Sequence, residues 1–136
     1  MGAVAYTSAL IRPLQGAVLR DYHAGGAGEV GNVVYVADDG DVEVTDADAA
    51  ATAHGRGIVT AMNKEGETTF AAGDRVTVCV FGPVAGFSGL TPGARVFVDT
   101  DAGKLDETAP SVVMPMGYAE SAGVVFVLPS MSGPTS

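Results

Sequence analysis

Two histidines and one cysteine are the side chains of this sequence with the widest range of chemistry. His23 lies in the glycine-rich stretch RDYHAGGAGE, and His54 precedes an apolar run in TAHGRG. A zinc site needs three or four closely spaced ligands, which these histidines and Cys79 do not supply. We therefore interpret both histidines as solvated loop residues, and we predict no metal site and no cofactor.

A nucleophilic role for cysteine or serine is not favoured either. Cys79 lies inside the alternating run RVTVCVF, an environment typical of a buried, inert thiol. No serine stands in a G-x-S-x-G turn, since GFSGL has different spacing. We predict that the protein is not an enzyme and that catalytic residues are absent. A chain with one cysteine also needs no oxidation, which is consistent with synthesis in a reducing cytoplasm.

Two acidic clusters, DDGD at 38–41 and DTDAGKLDE at 99–107, resemble calcium loops at first sight. Asp99 and Asp101 match the first two ligand positions of an EF-hand, but Gly103 stands where the third ligand belongs. Aspartate bonds readily to its own backbone in turns. We interpret both clusters as turn formers.

The charge of the chain argues against two kinds of partner. Sixteen acidic residues against seven basic ones give a formal net charge of −9. DNA and RNA are bound largely through lysine and arginine on phosphates, and anionic membranes attract basic surfaces. We expect no nucleic acid and no membrane as partners. The acidic surface serves either solubility or repulsion between copies in a crowded array.

Alternation with a period of two dominates the sequence and predicts short strands. Two hairpins are expected, around the turns Asp38-Asp39-Gly40 and Asp101-Ala102-Gly103. The pattern indicates an all-β fold, a small β-barrel or β-sandwich with an extended N-terminal arm and at most one short helix. That helix, or else a loop, falls in TDADAAATA at 45–53. The expected strands are 33–37, 41–45, 56–61, 74–82, 94–99, 103–107, the segment VMPMGYAE and 123–129.

The β domain is expected at 17–129, and it contains a strand-turn-strand unit that we interpret as duplicated, at 31–61 and 93–121. Each copy begins at a glycine, turns at an acid-glycine cluster and continues to GIVTA or GYAES. Two such copies can each cover half of a barrel and so remove exposed sheet edges. Residues 1–16 form an apolar arm that packs on its own domain or on a partner. Residues 130–136 are polar and small, and we predict a flexible tail.

The order of these segments resembles the small head decoration proteins, or capsid-stabilising proteins, of tailed bacteriophages, the class of the lambda-like decoration proteins. The likeness covers most of the chain. It consists of LTPGARVFV followed by a short hairpin, then the strand GYAES and the terminal apolar run GVVFVLP. These are turn and strand patterns rather than catalytic signatures.

The resemblance implies a β-tulip-like barrel that binds the outer face of an assembled capsid and stabilises the lattice of the major capsid protein. It implies a homotrimer on the virion exterior. In such proteins the N-terminal arm becomes ordered on the major capsid protein, and the matching segment here is 3–14. The residues expected to bind the capsid are Val4, Tyr6, Leu10, Ile11, Arg12 and Leu14.

Two alternatives stay open at the level of sequence. The first is a tail or fibre-base structural protein of the same virion, built on a similar barrel. The second is a small barrel that binds a ligand or a divalent ion through the acid-rich loops at 38–48 and 99–107. Copy number per particle separates the first alternative from a decoration protein, and ligand-dependent thermal shifts test the second.

Overall fold

The fold is described by a computed structural model for residues 3–135, so residues 1–2 of the expected arm and residue 136 of the expected tail lie outside the described residues. The chain is mostly β-structure, with one sheet curled into a half-barrel. This confirms the predicted all-β, barrel-like class. The strands of residues 3–135 are β1 Ala5–Tyr6, β2 Arg12–Pro13, β3 Val18–His23, β4 Gly28–Glu29, β5 Val33–Val36, β6 Val42–Val44, β7 Gly57–Met62, β8 Thr69–Phe70, β9 Arg75–Ala85, β10 Phe87–Ser88, β11 Arg95–Val98, β12 Leu105–Asp106, β13 Pro115–Ser121 and β14 Val124–Val127.

Helical structure is confined to two short segments of the described chain. The α-helix Ala50–Ala53 forms inside the alanine-rich stretch where a helix or a loop is expected, and a 3-10 helix covers Ser8–Leu10. The first has no apolar stripe to bury, so one turn is all that its sequence supports. Neither helix of residues 3–135 has the length and apolar character to cross a membrane.

The main sheet has the strand order β12-β11-β13-β14-β9-β7-β5-β6. The long strand β9 organises it, because its first part pairs with β7 and β3 while its last four residues pair with β14. The short strand β2 pairs with the end of β9 as well. Strand β9 thus joins one half of the sheet, formed by β7, β5 and β6, to the other half, formed by β14, β13, β11 and β12.

The two segments with similar sequences have the same local topology. In each, the first strand (β5 or β11) lies between its hairpin partner and a third strand, β7 or β13. The registers also correspond, although a common origin of the two units stays a prediction. The matching cross-strand pairs are Val34↔Gly57 with Val96↔Gly117, and Val36↔Val42 with Val98↔Leu105.

The ends of the sheet meet through backbone hydrogen bonds between the two hairpins. The Val33 amide donates to the Gly103 carbonyl over 2.8 Å, and the Gly103 amide donates to the Thr45 carbonyl over 2.8 Å. Backbone groups at these positions would otherwise be buried without partners, which is costly. The turn of the second hairpin therefore helps to close the curled sheet on the first.

One apolar core fills the space enclosed by the strands. Valines dominate it because branched side chains pack well on a pleated surface. Gly55 lies directly against Met116 and Val33, which places the first hairpin unit in contact with β13. The largest fully buried side chains are Ile58, Leu105, Met114, Met116, Val33, Val34, Val42, Val59, Val76, Val78, Val84 and Val96.

The last described residues, which belong to the predicted flexible tail, form backbone bonds with the domain. Thr135 and Val113 form an antiparallel bridge, and the Ser130 amide donates to the Pro115 carbonyl over 3.1 Å. Gly133 is buried beside His54. A polar, proline-containing composition indicates weak apolar anchoring, but these backbone bonds hold the segment without it.

Candidate functional site

The N-terminal arm lies along its own domain rather than extending away from it. Strand β1 pairs with β10, and β2 pairs with the end of β9. The Val4 amide donates to the Leu105 carbonyl over 2.7 Å, and the Leu14 amide donates to the Pro83 carbonyl over 2.9 Å. Of the two arrangements expected for the arm, the structure shows packing on its own domain.

Two of the six residues expected to bind a capsid are engaged inside the molecule. Ile11 is 6% exposed and belongs to the core. The Tyr6 hydroxyl donates a hydrogen bond to the Glu29 carboxylate and accepts one from the Asn32 amide over 2.9 Å. Burial raises the pKa of Tyr6, and the hydrogen bond to Glu29 raises it further. While the arm is docked, these two side chains cannot also serve as contacts for a partner.

The other four arm residues divide by exposure. Leu10 is 57% exposed and Arg12 is exposed, so both side chains face solvent. Val4 and Leu14 are half-buried against the domain. Of the six residues expected to bind a capsid, the docked arm therefore leaves Leu10 and Arg12 accessible to a partner.

A row of apolar and aromatic side chains crosses the outside of the sheet, and we call Val18, Phe81, Phe126 and Tyr118 the aromatic row. Val18 lies opposite Phe81 on neighbouring strands. The rings of Phe81 and Phe126 meet edge to face with centroids 5.2 Å apart. Tyr118 stacks on Phe126 with centroids 5.4 Å apart.

The aromatic row is accessible and ends at a basic residue. Val18 is 48% exposed, Phe81 44% and Tyr118 36%. Arg95 lies opposite Tyr118 on the next strand, with its guanidinium over the Phe97 ring. Contiguous exposed apolar surface of this kind marks interaction sites, and aromatic residues and arginine are enriched where proteins bind each other.

The aromatic row could not be predicted from the sequence, because its members come from four strands. Phe81 lies on the strand predicted at 74–82 and is 44% exposed, whereas Val78 and Cys79 of the same strand are buried. The signal that the sequence offers is that Tyr118, Phe126 and Phe81 each lie on the outward-facing side of an alternating strand. The registers that align them are not visible in the sequence.

Cys79 is buried, as predicted for a core thiol. Its Sγ donates to the Phe81 carbonyl over 3.3 Å. Burial raises the pKa of Cys79, so the thiol form is favoured. The reactive thiolate is correspondingly disfavoured.

The acidic clusters form turns through their own backbone, as predicted. Asp39 accepts a hydrogen bond from the Asp41 amide over 3.0 Å, and Asp99 accepts one from the Thr100 amide over 2.8 Å. Burial raises the pKa of Asp99, and the nearby Asp106 and Asp101 add to this. Among the described residues, no three histidine, cysteine or acidic side chains come close enough together to hold a metal ion.

The two histidines are placed on different parts of the molecule. His54 borders an open groove of about 730 Å³ together with Arg56, Asp38 and Asp39. Burial lowers the pKa of His54, and the charge of Arg56 adds to this. His23 ends β3 opposite Arg75 and is not part of this groove. The structure therefore does not bring the histidines together.

No protein-family model matches this chain, and no curated protein sequence matches it significantly. Function therefore has to be argued from the surface of the molecule. The aromatic row is its most distinctive feature, and its chemistry is that of adhesion, since phenyl rings and a phenol stabilise complexes by burial and stacking. What this arrangement can do is bind another macromolecular surface.

Proposed function

We propose that this protein is a virion structural protein that binds the outer surface of an assembled bacteriophage capsid and stabilises the lattice of the major capsid protein. The aromatic row is the observation that carries this proposal. The resemblance of LTPGARVFV and the following strands to head decoration proteins supplies the kind of partner. Stabilisation then follows from linkage, because a protein that binds assembled lattice and not free subunits favours the assembled state.

The proposed contact works through area rather than through reactive groups. Phe81, Phe126 and Tyr118 form a continuous row of rings across neighbouring strands, with Arg95 at its end. Aromatic and arginine side chains often carry most of the binding energy of an interface, and removing one such anchor commonly costs about 2 kcal/mol or more. A repeating capsid surface presents the same complementary patch many times.

Two exposed residues of the arm are also proposed to contact the capsid. Leu10 and Arg12 are exposed on the docked arm and are available as further contacts. Val4, Tyr6, Ile11 and Leu14 would reach the capsid only if the arm left its place beside β9 and β10. A homotrimer is the oligomeric state implied by the resemblance, and light scattering of the purified protein tests it.

Co-sedimentation with capsids tests the proposed function. Wild-type protein is mixed with empty capsids of the phage that encodes it, and separately with isolated tails, and the bound fraction is measured after centrifugation. We expect saturable binding to capsids. A double variant, Phe81→Ser with Tyr118→Ser, should bind at least about tenfold more weakly, as expected for loss of interface anchors.

Tyr35→Ser is the matched control, because Tyr35 is an aromatic residue of β5 that borders the His54 groove and not the aromatic row. It should bind capsids like the wild type. Binding to tails but not to capsids would favour the tail-protein alternative. Failure of wild-type protein to bind capsids would reject the proposal.

A further inference from the structure

Strand β3 is an edge strand with one side open. Its six residues, Val18–His23, pair with β9, and no other strand of the described residues pairs with β3. Its side chains are exposed apart from Tyr22, which is half-buried. An edge of this kind has unpaired N–H and C=O groups that can bond an added strand.

A cavity of about 360 Å³ opens beside this strand. Arg20 and Tyr22, two residues apart on the same face of β3, form part of its wall. Val36, Val80 and the tail residue Met131 give the rest of the wall an apolar character. Met131 is 88% exposed, so its side chain is accessible at the cavity.

Arg56 borders the same cavity and is partly withdrawn from water. Its Nη2 atom donates to the Ser130 carbonyl over 3.2 Å, and burial lowers the pKa of Arg56. In the part of the chain that the structure describes, the ion pairs are Lys64–Asp74 and Lys104–Asp101, so neither Arg20 nor Arg56 has a carboxylate partner.

The acid beside Arg20 in sequence and the acids that share a groove with Arg56 are otherwise placed. Asp21 points to the opposite face of β3 and accepts a hydrogen bond from the Thr77 hydroxyl over 2.8 Å. Asp38 and Asp39 border the neighbouring groove, which shares Val36 and Arg56 with this cavity, but neither acid forms an ion pair with Arg56. In a chain with net charge −9, two arginines at one cavity without acidic partners are a site complementary to an anion.

We propose that the open edge of β3 binds an extended strand of the partner, and that one acidic side chain of this strand enters the cavity between Arg20 and Arg56. Backbone hydrogen bonds along β3 would supply affinity, and the cavity would supply specificity for the acid and for apolar side chains next to it. The inference rests on the proposed function in that a capsid protein would supply the strand.

Short synthetic peptides test this inference without capsids. The probe is a fluorescently labelled peptide as long as β3, with threonine alternating with valine and one central glutamate, and its match has glutamine at that position. Fluorescence anisotropy with the full-length protein should give tighter binding of the glutamate peptide. Charge-assisted hydrogen bonds predict a preference of about tenfold.

Variants locate the peptide on the molecule. Arg20→Gln should remove most of the preference for glutamate, because it removes one of the two proposed cationic partners of this side chain. Arg20 is exposed, so its substitution should leave the fold intact. Lys64→Gln, which removes one positive charge at an exposed residue outside the cavity and the aromatic row, is the matched control and should keep the preference. Hydrogen exchange of backbone amides in 18–23 should slow when the glutamate peptide binds.

Three outcomes would overturn the inference: no binding of either peptide, equal binding of both, or an unchanged preference in Arg20→Gln. Any of these together with wild-type binding to capsids would reject the β3 site and leave the proposed function standing. Peptide binding as expected, without capsid binding, would instead reject the proposed function alone.

Discussion

Asn32 and Gly103, which are 71 residues apart in sequence, meet where the two hairpin units join. The Asn32 amide nitrogen lies 3.4 Å from the Gly103 carbonyl oxygen and 2.9 Å from the Tyr6 hydroxyl. The side-chain oxygen of Asn32 accepts a hydrogen bond from the Glu29 amide over 2.9 Å. One buried side chain thus links the first hairpin, the second hairpin and the arm.

Gly103→Ala should destabilise the protein through this junction. Gly103 has a φ of +75°, and a Cβ there would lie 2.7 Å from the Asn32 side chain and 2.8 Å from a methyl group of Val44. The left-handed backbone costs a non-glycine residue about 1 kcal/mol, and overpacking adds about 1–3 kcal/mol. Urea denaturation should therefore show a loss of roughly 2–4 kcal/mol in the free energy of unfolding.

Gly40→Ala provides the control for that prediction. Gly40 occupies the corresponding turn of the first hairpin with a φ of +89°, but a Cβ there meets no atom within 4 Å. The free energy of unfolding of Gly40→Ala should therefore fall only by the backbone cost of about 1 kcal/mol. Equal losses for the two variants would show that the contact with Asn32 is unimportant.

Ile11 and Leu10 are adjacent in the arm but should respond differently to substitution. Ile11→Ala removes a core side chain that is 6% exposed, and we expect a loss of about 2–4 kcal/mol in the free energy of unfolding. Leu10→Ala alters a side chain that is 57% exposed and should change stability by about 0.5 kcal/mol or less. Thermal and urea denaturation of both variants measure this difference.

The docked arm also changes what deletion of residues 1–14 should do. A free arm predicts that the remaining domain keeps its stability. Because the arm supplies Ile11 and pairs with β9 and β10, the shortened chain should instead unfold at lower urea concentration. If the shortened chain and Ile11→Ala were both as stable as the wild type, the docked arm would contribute nothing to the fold.

The hairpins could be predicted from sequence because their determinants are local. Asp38-Asp39-Gly40 and the turn before Leu105 are each flanked by alternating apolar residues, and both hairpins form as expected. The glycines that begin GIVTA and GYAES were recognised as a repeated feature. Their role as close-packing positions depends on strand register, which the sequence does not specify.

The arm and the aromatic row could not be placed from sequence, since their partners are distant. Strand β1 pairs with Phe87–Ser88, about eighty residues away, and the arm has no periodicity of its own to indicate a face. The composition of the tail likewise gives no sign of its backbone bonds, such as the bridge of Thr135 to Val113. The positions of the arm, the aromatic row and the tail all depend on pairing between residues that are far apart in sequence.

The Tyr6 hydroxyl should contribute to stability in a pH-dependent way. Tyr6→Phe leaves the Glu29 carboxylate and the Asn32 amide without this partner, and we expect a loss of about 1–2 kcal/mol at neutral pH. Because the pKa of Tyr6 is raised in the folded state, the unfolded chain loses this proton first as the pH rises above about 10. The contribution is therefore fully present below that pH and decreases above it.

Urea denaturation of both proteins between neutral and strongly alkaline pH measures this effect. The other tyrosines are common to both, so the difference in the free energy of unfolding reports on Tyr6. The stability advantage of the wild type should shrink as the pH rises past the ordinary range of tyrosine. A constant difference would mean that the hydroxyl is not held in its protonated form by the fold.

Gly57 and Gly117, at matching positions of the two hairpin units, should both be intolerant of a side chain. A Cβ at Gly117 would overlap the carbonyl oxygen of Phe126 on β14, and one at Gly57 would overlap the carbonyl oxygen of Cys79 on β9. Backbone atoms of a neighbouring strand cannot move aside without breaking the ladder. We expect each alanine variant to lose about 3 kcal/mol or more, or to fail to fold, as judged by soluble yield and circular dichroism. Gly66→Ala, where φ is +82° and a Cβ meets nothing within 4 Å, should fold and lose only the backbone cost of about 1 kcal/mol. If Gly57→Ala and Gly117→Ala were as stable as Gly66→Ala, close strand approach would not explain why both units have glycine at this position.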